Sequence, residues 1–430
     1  EAGTGTGKSL AYLLPAMHFA YANGEHVVIS TNTINLQDQL YNKDIPDLQK
    51  LVPFEVRSAL LKGRSNYLCL RRLGLYRRRT DLTADDLTLL AKVLAWLPTT
   101  VTGDQNELFL PDVRQRACWS QINAAAEKCT AGQCQYHAQG RCFFYRARER
   151  AEGAHLIVVN HSLLLSDVKV GYKALPDYRY LIIDEAHHLE ASTTSQLTVT
   201  LTPGLVEELA GELGVSLRVT QTGGLLADIG VRVRIGLPRR VTQEVERYLG
   251  EIREGAEEAI RASQAFFDAL LAFLADHTEQ RDAQSSYSQK VRITPGLRLQ
   301  SGWTSIEVAA ENLSAHAGQV RKRLDQLRRG MSELVEYDVR DLDQLLEDLQ
   351  LQVRRWQEIT SLVDTMIHEP NARLVYWVET VAETNRASLF AAPLHVGDLI
   401  QEHLLDPKEC VVLTSATLTT DGRFDFIQER

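Results

Sequence analysis

Two short stretches carry the residue types from which phosphate chemistry is assembled. Gly3, Thr4, Gly5, Thr6, Gly7, Lys8 and Ser9 make a small-residue loop ending in a lysine and a hydroxyl, the spacing of a P-loop. The glycines let the main chain curl close to a polyphosphate with its N–H groups turned inward. Lys8 supplies a point charge for the β- and γ-phosphates, and the Ser9 hydroxyl can hold Mg2+. Ala2 stands at the loop's first fixed position, where glycine is usual, and the sequence begins at Glu1, so the strand that should lead into the loop is not in view. Much further on, Asp184, Glu185, Ala186 and His187 follow the apolar run Tyr180, Leu181, Ile182 and Ile183. Acids at the end of a buried strand lie where open α/β sheets present their functional groups. Asp184 is expected to bind the Mg2+ shell, and Glu185 to orient and deprotonate an attacking water. Alone, such acids would be ordinary solvated groups; with the P-loop they complete an ATP site.

Thiols form the second constellation. Cys129, Cys134 and Cys142 fall close together, with Cys69 a distant fourth. Four soft thiolates could hold zinc or an iron–sulfur cluster. The spacing matches no Cys-x2-Cys zinc ribbon, which favours the cluster. Cys118 could replace one ligand, although Trp119 beside it reads as a packing residue. Cys410 opens a predicted buried strand and is expected to be inert. Six cysteines in 430 residues suit metal ligation in a reducing compartment better than disulfides.

The elements that must position these groups read as an interrupted α/β layer. A helix should follow the P-loop with Leu10, Leu13, Leu14 and Met17 on one face. Residues 26–29 and 155–159 are apolar strand runs, the first entering Ser30, Thr31, Asn32 and Thr33, the second entering Asn160, His161 and Ser162. Thr33 serves equally well as a helix N-cap or as a phosphodiester contact. From about residue 190 the pattern changes to long amphipathic helices, marked by Ile306, Ala310, Leu313, Ala317, Val320, Leu324 and Leu327 and by Leu345, Leu349, Trp356, Ile359 and Val363. Residues 280–300, with Ser285 and Ser286, read as a loop or short hairpin between them. Strand character returns at 373–378 and 410–414, the latter running into Ser415 and Thr417.

Length suggests about three domains, and 44% apolar with 24% charged residues fits a soluble globular chain. No run is long enough to cross a bilayer and no targeting segment is visible, so a cytoplasmic protein is expected. The net charge of −9 argues against a generally basic surface, but phosphate contacts need only a local groove. Lys62, Arg64, Arg71, Arg72, Arg77, Arg78, Arg79, Arg141, Arg146, Arg148 and Arg150 all flank the cysteines. That concentration points to nucleic acid, and His187 is expected to link nucleotide state to DNA contacts while His188 caps the next helix.

Residues 1–9 and 62–69, Val158 with Asn160, His161 and Leu165, the 184–187 motif, and Leu413 with Ser415, Thr417 and Leu418 together resemble the DinG branch of the XPD-like superfamily 2 helicases. The resemblance implies a RecA-like P-loop motor domain with a cysteine-rich cluster insertion and an all-α Arch-type insertion. Its boundaries would be 1–61 and 151–190 for the motor, 62–150 for the cluster domain and 191–390 for the Arch. Residues 391–430 would hold the last motor strand and the start of a second motor domain. It implies ATP, Mg2+ and a [4Fe-4S] cluster on Cys69, Cys129, Cys134 and Cys142. It implies 5′→3′ unwinding of forked, R-loop and D-loop DNA by a monomer that tracks single-stranded DNA. Lys62 and Arg64 would lie near the single strand, and Ser415 and Thr417 would couple ATP state to DNA movement. An arginine finger, worth roughly 10³–10⁵ in rate, would follow Thr417, so slow hydrolysis is expected of these 430 residues alone. Competing readings are a metal-stabilised nucleic-acid-binding module without a motor, and a DinG-like nuclease, for which no extra acidic cluster stands out.

Overall fold

The computed structural model describes all residues except 4, 78–81, 126–128, 130–133, 170, 173, 218–222, 279–288, 338, 382–385, 420–421, 426 and 428–430. Thr4, Arg78, Arg79, Ser285 and Ser286 thus lie outside the described residues. The strands are β1 (Val27–Thr31), β2 (Ser58–Leu60), β3 (Leu156–Asn160), β4 (Tyr180–Asp184), β5 (Val199–Leu201), β6 (Gln289–Ile293), β7 (Leu374–Val381), β8 (Arg386–Pro393) and β9 (Cys410–Thr414). The chain divides into two compact units, one made of Glu1–Leu197 with His395–Arg430, the other of Thr198–Leu394. Among the described residues no helix is long and apolar enough to cross a membrane.

The first unit is built on a parallel sheet in the order β2-β3-β1-β4-β9. Its central strands are continuous apolar runs because both faces are covered. Alternation divides them cleanly: Val27, Ile29, Leu156, Val158 and Ile182 face one core, while Val28, Ile157, Val159, Leu181 and Ile183 face another. Helix Lys8–Asn23 covers the first side with Tyr12, Leu13, Ala16, Met17 and Ala20. The expected stripe is rotated: Leu13 and Met17 are buried, but Leu10 and Leu14 stay 51% and 45% exposed. The second side is shared with residues 62–150, whose Leu68, Leu73, Leu89, Trp119 and Phe144 cluster with Val28 and Ile157. Cys410 does not open a buried strand. Among the described residues β9 pairs only with β4, and as an edge strand it leaves Cys410 exposed.

The second unit departs from the all-α expectation. Helices Arg239–Thr278, Trp303–Ser332 and Leu342–Val363 do pack through the apolar positions legible in the sequence. They are joined by an antiparallel sheet in the order β5-β8-β7-β6. The strand run at 373–378 belongs to this sheet and not to the parallel one. Its face toward the helices carries Tyr376, Val378, Ala387, Leu389 and Ala391.

All five parallel strands of the first unit end at one edge. Residues 30–33, Lys62, His161, the Asp184–Glu185 pair and Ser415 follow those ends, so the topology alone gathers the polar residues of distant segments.

Candidate active site

Loop geometry begins with backbone freedom. Gly5 and Gly7 have φ of 74° and 87°, values that favour glycine, and a Cβ added at either would meet nothing within 4 Å. The loop is therefore an open cradle. Thr6 closes it by donating its hydroxyl to the Gly3 carbonyl at 2.8 Å. Gly7 is the N-cap of helix Lys8–Asn23 and offers no side chain to cap it, so the first N–H groups of that helix remain for an anion. The loop's start is tied to the chain after β9: the Ala2 N–H donates to the Ser415 carbonyl at 3.2 Å, and Glu1 Oε1 accepts the Leu418 N–H at 3.3 Å.

Lys8, the first residue of that helix, reaches the end of β4. Its Nζ lies 3.4 Å from Glu185 Oε1. The other carboxylate oxygen, Oε2, is 3.4 Å from His187 Nδ1, and that nitrogen is 2.6 Å from the Ser415 hydroxyl. Ser415 Oγ also accepts the Thr417 N–H at 3.3 Å. Burial, with the neighbouring His188, holds the His187 imidazole below its ordinary pKa, so it is neutral near pH 7. Glu185 itself has φ 54°, a left-handed conformation that L residues avoid and that clusters at functional sites.

Asp184 is the buried member of the pair. Its Oδ1 has no hydrogen-bond partner, and burial, reinforced by the adjacent Glu185 charge, raises its pKa above the usual carboxylate range. The Tyr12 hydroxyl is buried against the side chains of Ser9 and Asp184, so the hydroxyl and the carboxylate flank a common point. A buried carboxylate and a serine hydroxyl, both beside the Tyr12 hydroxyl, fit the oxygen-rich demand of Mg2+. Both flanking donors are those singled out in the sequence; Tyr12 was not. Its signal was a buried tyrosine one helical turn beyond Lys8.

His161, quoted in the sequence but given no role there, is 1% exposed at the start of helix His161–Lys169. Its Nδ1 pairs with Ser30 Oγ at 2.8 Å, while Nε2 is buried without a partner. Burial pushes the imidazole pKa down to about 4, and the main chain of Glu185 and Asp184 faces the ring. Thr33 proves to be the N-cap of helix Ile34–Gln39, its hydroxyl accepting the Leu36 N–H at 3.3 Å.

Three thiols occupy equivalent places. Cys69, Cys134 and Cys142 are the N-caps of helices Leu70–Tyr76, Gln135–Ala138 and Phe143–Glu152. Burial pushes the Cys69 thiol up, opposed by the N–H groups of Arg72 and Arg71, and Cys134 lies within electrostatic reach. Burial likewise raises Cys142, which feels Cys69 and Cys129. Cys118 belongs elsewhere: it faces Asp86 and Tyr76, and burial with Asp86 pushes its pKa up to about 11. Among the described residues no three His, Cys, Asp or Glu side chains close to metal-binding geometry.

No family model matches the chain. It is 29% identical over its full length to the 3'-5' exonuclease DinG of Bacillus subtilis (strain 168), covering 44% of that protein. It is 39% identical over 226 residues, 47% of this chain, to the ATP-dependent helicase DinG of Mycobacterium tuberculosis (strain ATCC 25177 / H37Ra), covering 33% of it. To the ATP-dependent DNA helicase YoaA of Escherichia coli (strain K12) it is 34% identical over 267 residues, 60% of this chain and 37% of that one. The chain is thus similar to proteins named DinG and YoaA. It spans less than half the length of these three proteins. A solved XPD helicase aligns over 98% of this chain and 54% of its own, at 13% identity and a TM-score of 0.38, too slight a likeness to define the fold.

The DinG-type resemblance implied nucleic-acid roles for Lys62 and Arg64, and the two sit in different surroundings. Lys62 Nζ is 2.6 Å from Asp104 Oδ2 and 3.0 Å from Asp38 Oδ1, with its side chain 3% exposed. An ammonium out of water must be paired, and this one forms a buried cross-link between two segments. Arg64 instead lies half-buried on aromatic rings, its guanidinium 4.2 Å from the Phe144 centroid and 5.5 Å from that of Tyr145.

Proposed function

We propose that this DinG-type chain is the ATPase-bearing part of a 5′→3′ DNA helicase, acting on forked, R-loop or D-loop DNA as a monomer in the cytoplasm. The observation that carries this reading is the meeting of Lys8 with Glu185 at 3.4 Å, beside an Asp184 whose Oδ1 is buried without a partner. Bound Mg2+–ATP supplies the anhydride to be cleaved. The chain's own groups then divide the work. The N–H groups at the loop and helix start, with Lys8, bind and orient phosphates, and Ser9 and Asp184 would hold the metal. Lys8 and Glu185 neutralise each other in the present geometry. When Lys8 turns to phosphate, the Glu185 carboxylate is freed to accept a proton from water. Neutral His187, hydrogen-bonded to Ser415, holds the far side of that carboxylate and would carry its position to the segment bearing Thr417.

We further assign residues 62–150 to a [4Fe-4S] domain and the second unit to an Arch-type domain that includes its sheet. Three helix-capping thiols, with Cys69 in electrostatic reach of Cys134 and Cys142 in reach of Cys69 and Cys129, and the diversion of Cys118 toward Asp86, support Cys69, Cys129, Cys134 and Cys142 as ligands. Protein purified anaerobically should be brown, with iron and sulfide lost on Cys134→Ser and retained on Cys118→Ser; stoichiometric zinc in colourless protein would reject the cluster. The motor reading is tested by Lys8→Ala in the full-length protein. Unwinding should vanish while single-strand binding survives, and a variant that still unwinds DNA removes the P-loop from the mechanism.

A further inference from the structure

We propose that the outward face of the second unit's antiparallel sheet is a stacking platform for single-stranded DNA. Alternation turns Tyr376, Val378, Leu389 and Ala391 into the core, which puts Trp377 and Glu379 of β7 and Arg386, Ser388 and Phe390 of β8 on the opposite face. Register then aligns Arg292, Trp377, Phe390 and Thr200 in one row across the four strands, with Lys290, Glu379 and Ser388 in the next. The Trp377 and Phe390 rings are nearly parallel and stacked on one another, 8° apart with centroids separated by 5.2 Å, which leaves the outer face of each for a further ring. Both are half-buried, and neither is part of the hydrophobic clusters formed by the described residues.

The surrounding charge selects the occupant. Lys290, Arg292 and Arg386 are exposed on this face. Glu379 is committed, accepting the Trp377 Nε1–H at 2.9 Å and pairing with Lys290 at 2.6 Å. With Lys290 and Glu379 neutralising each other, Arg292 and Arg386 leave the face cationic in a chain whose net charge is −9. Flat rings beside arginines suit unpaired bases, because every base has a π-face, and the cations suit a phosphate backbone. A cross-strand aromatic pair alone would stabilise the sheet; the arginine in its row is what a purely structural pair does not need. The choice of DNA among polyanions rests on the proposed helicase function.

The test is fluorescence anisotropy of labelled oligo(dT) and of an abasic strand of equal length with the 430-residue chain. Trp377→Ala and Phe390→Ala should each weaken oligo(dT) binding on the order of 10-fold, leave abasic binding unchanged, and be largely rescued by Trp377→Phe. Arg292→Ala, at an exposed position, should lower the slope of log affinity against log salt by about 0.7. Binding by the wild type with no loss in any of the three variants would overturn the platform and leave the helicase reading standing. A wild type with no affinity for oligo(dT) would overturn both. If the ring variants melt early, Arg292→Ala decides: an unchanged slope overturns the proposal.

Discussion

Strain at Glu185 can be measured separately from its chemistry. Its φ of 54° puts an L side chain in the left-handed region, at a cost of about 1–2 kcal/mol relative to glycine. Glu185→Gly removes that cost, and Glu185→Ala keeps it. Both delete the same carboxylate, and with it the contacts to Lys8 and His187, so those losses cancel in the comparison. Glycine's greater freedom in the unfolded chain returns about 0.4–1 kcal/mol. The net expectation is that Glu185→Gly is more stable than Glu185→Ala by about 1 kcal/mol, a shift of about 2–4 °C for a unit of this size. Differential scanning calorimetry resolves the transition of the first unit, and both variants should be unable to hydrolyse ATP in the full-length protein. If Glu185→Ala melts at or above Glu185→Gly, the backbone is not strained and the conformation carries no stored cost.

Other consequences are equally direct. His161, with its pKa at about 4 in the fold against about 6.5 unfolded, binds a proton more readily when unfolded. Stability should therefore rise as pH rises from 4 to 6.5, by up to roughly 3 kcal/mol from this group. Asp184 and Asp167, whose carboxyls burial holds above the ordinary range, act in the opposite sense at the acid end of that window. His161→Gln should flatten the wild-type profile in urea titrations across it, and an unaltered profile would contradict the burial argument. Lys62→Met should destabilise the first unit by about 3 kcal/mol, because Asp104 keeps a buried charge without its cation. Adding Asp104→Asn, which preserves the acceptor for the Asn106 N–H, should recover more than half of that loss; no recovery would show that packing, not charge, is responsible.

Much of the candidate site's edge was legible because its determinants are local. The loop's spacing depends on glycine and a single lysine, and parallel strands covered on both faces announce themselves as runs such as Leu156, Ile157, Val158 and Val159. What escaped reading depends on tertiary position. β8 is rich in Ala387, Ser388, Ala391 and Ala392, small residues that hide a strand, and β5 spans only Val199–Leu201. Leu10 and Leu14 look like core from periodicity alone, yet the sheet meets Tyr12 and Ala16 instead. Lys62 reads as a surface cation until Asp38 and Asp104, from two separate segments, are brought to it. Tyr12 carries no motif of its own, and His161 was read only as part of the run after β3; burial beside Asp184 gives both a role.

The Lys62 cross-link also bears on Cys69. The Lys62 N–H donates to the Tyr67 hydroxyl at 3.0 Å, Tyr67 bridges Asp104, and the Leu68 and Cys69 N–H groups donate to the Gly103 and Ile122 carbonyls at 2.9 and 2.8 Å. The first thiol therefore hangs on a stiff bracket bolted to the helix that follows β1. A tilt of that helix would swing Cys69 with it, as a lever arm moves its far end, rather than being absorbed by slack in between.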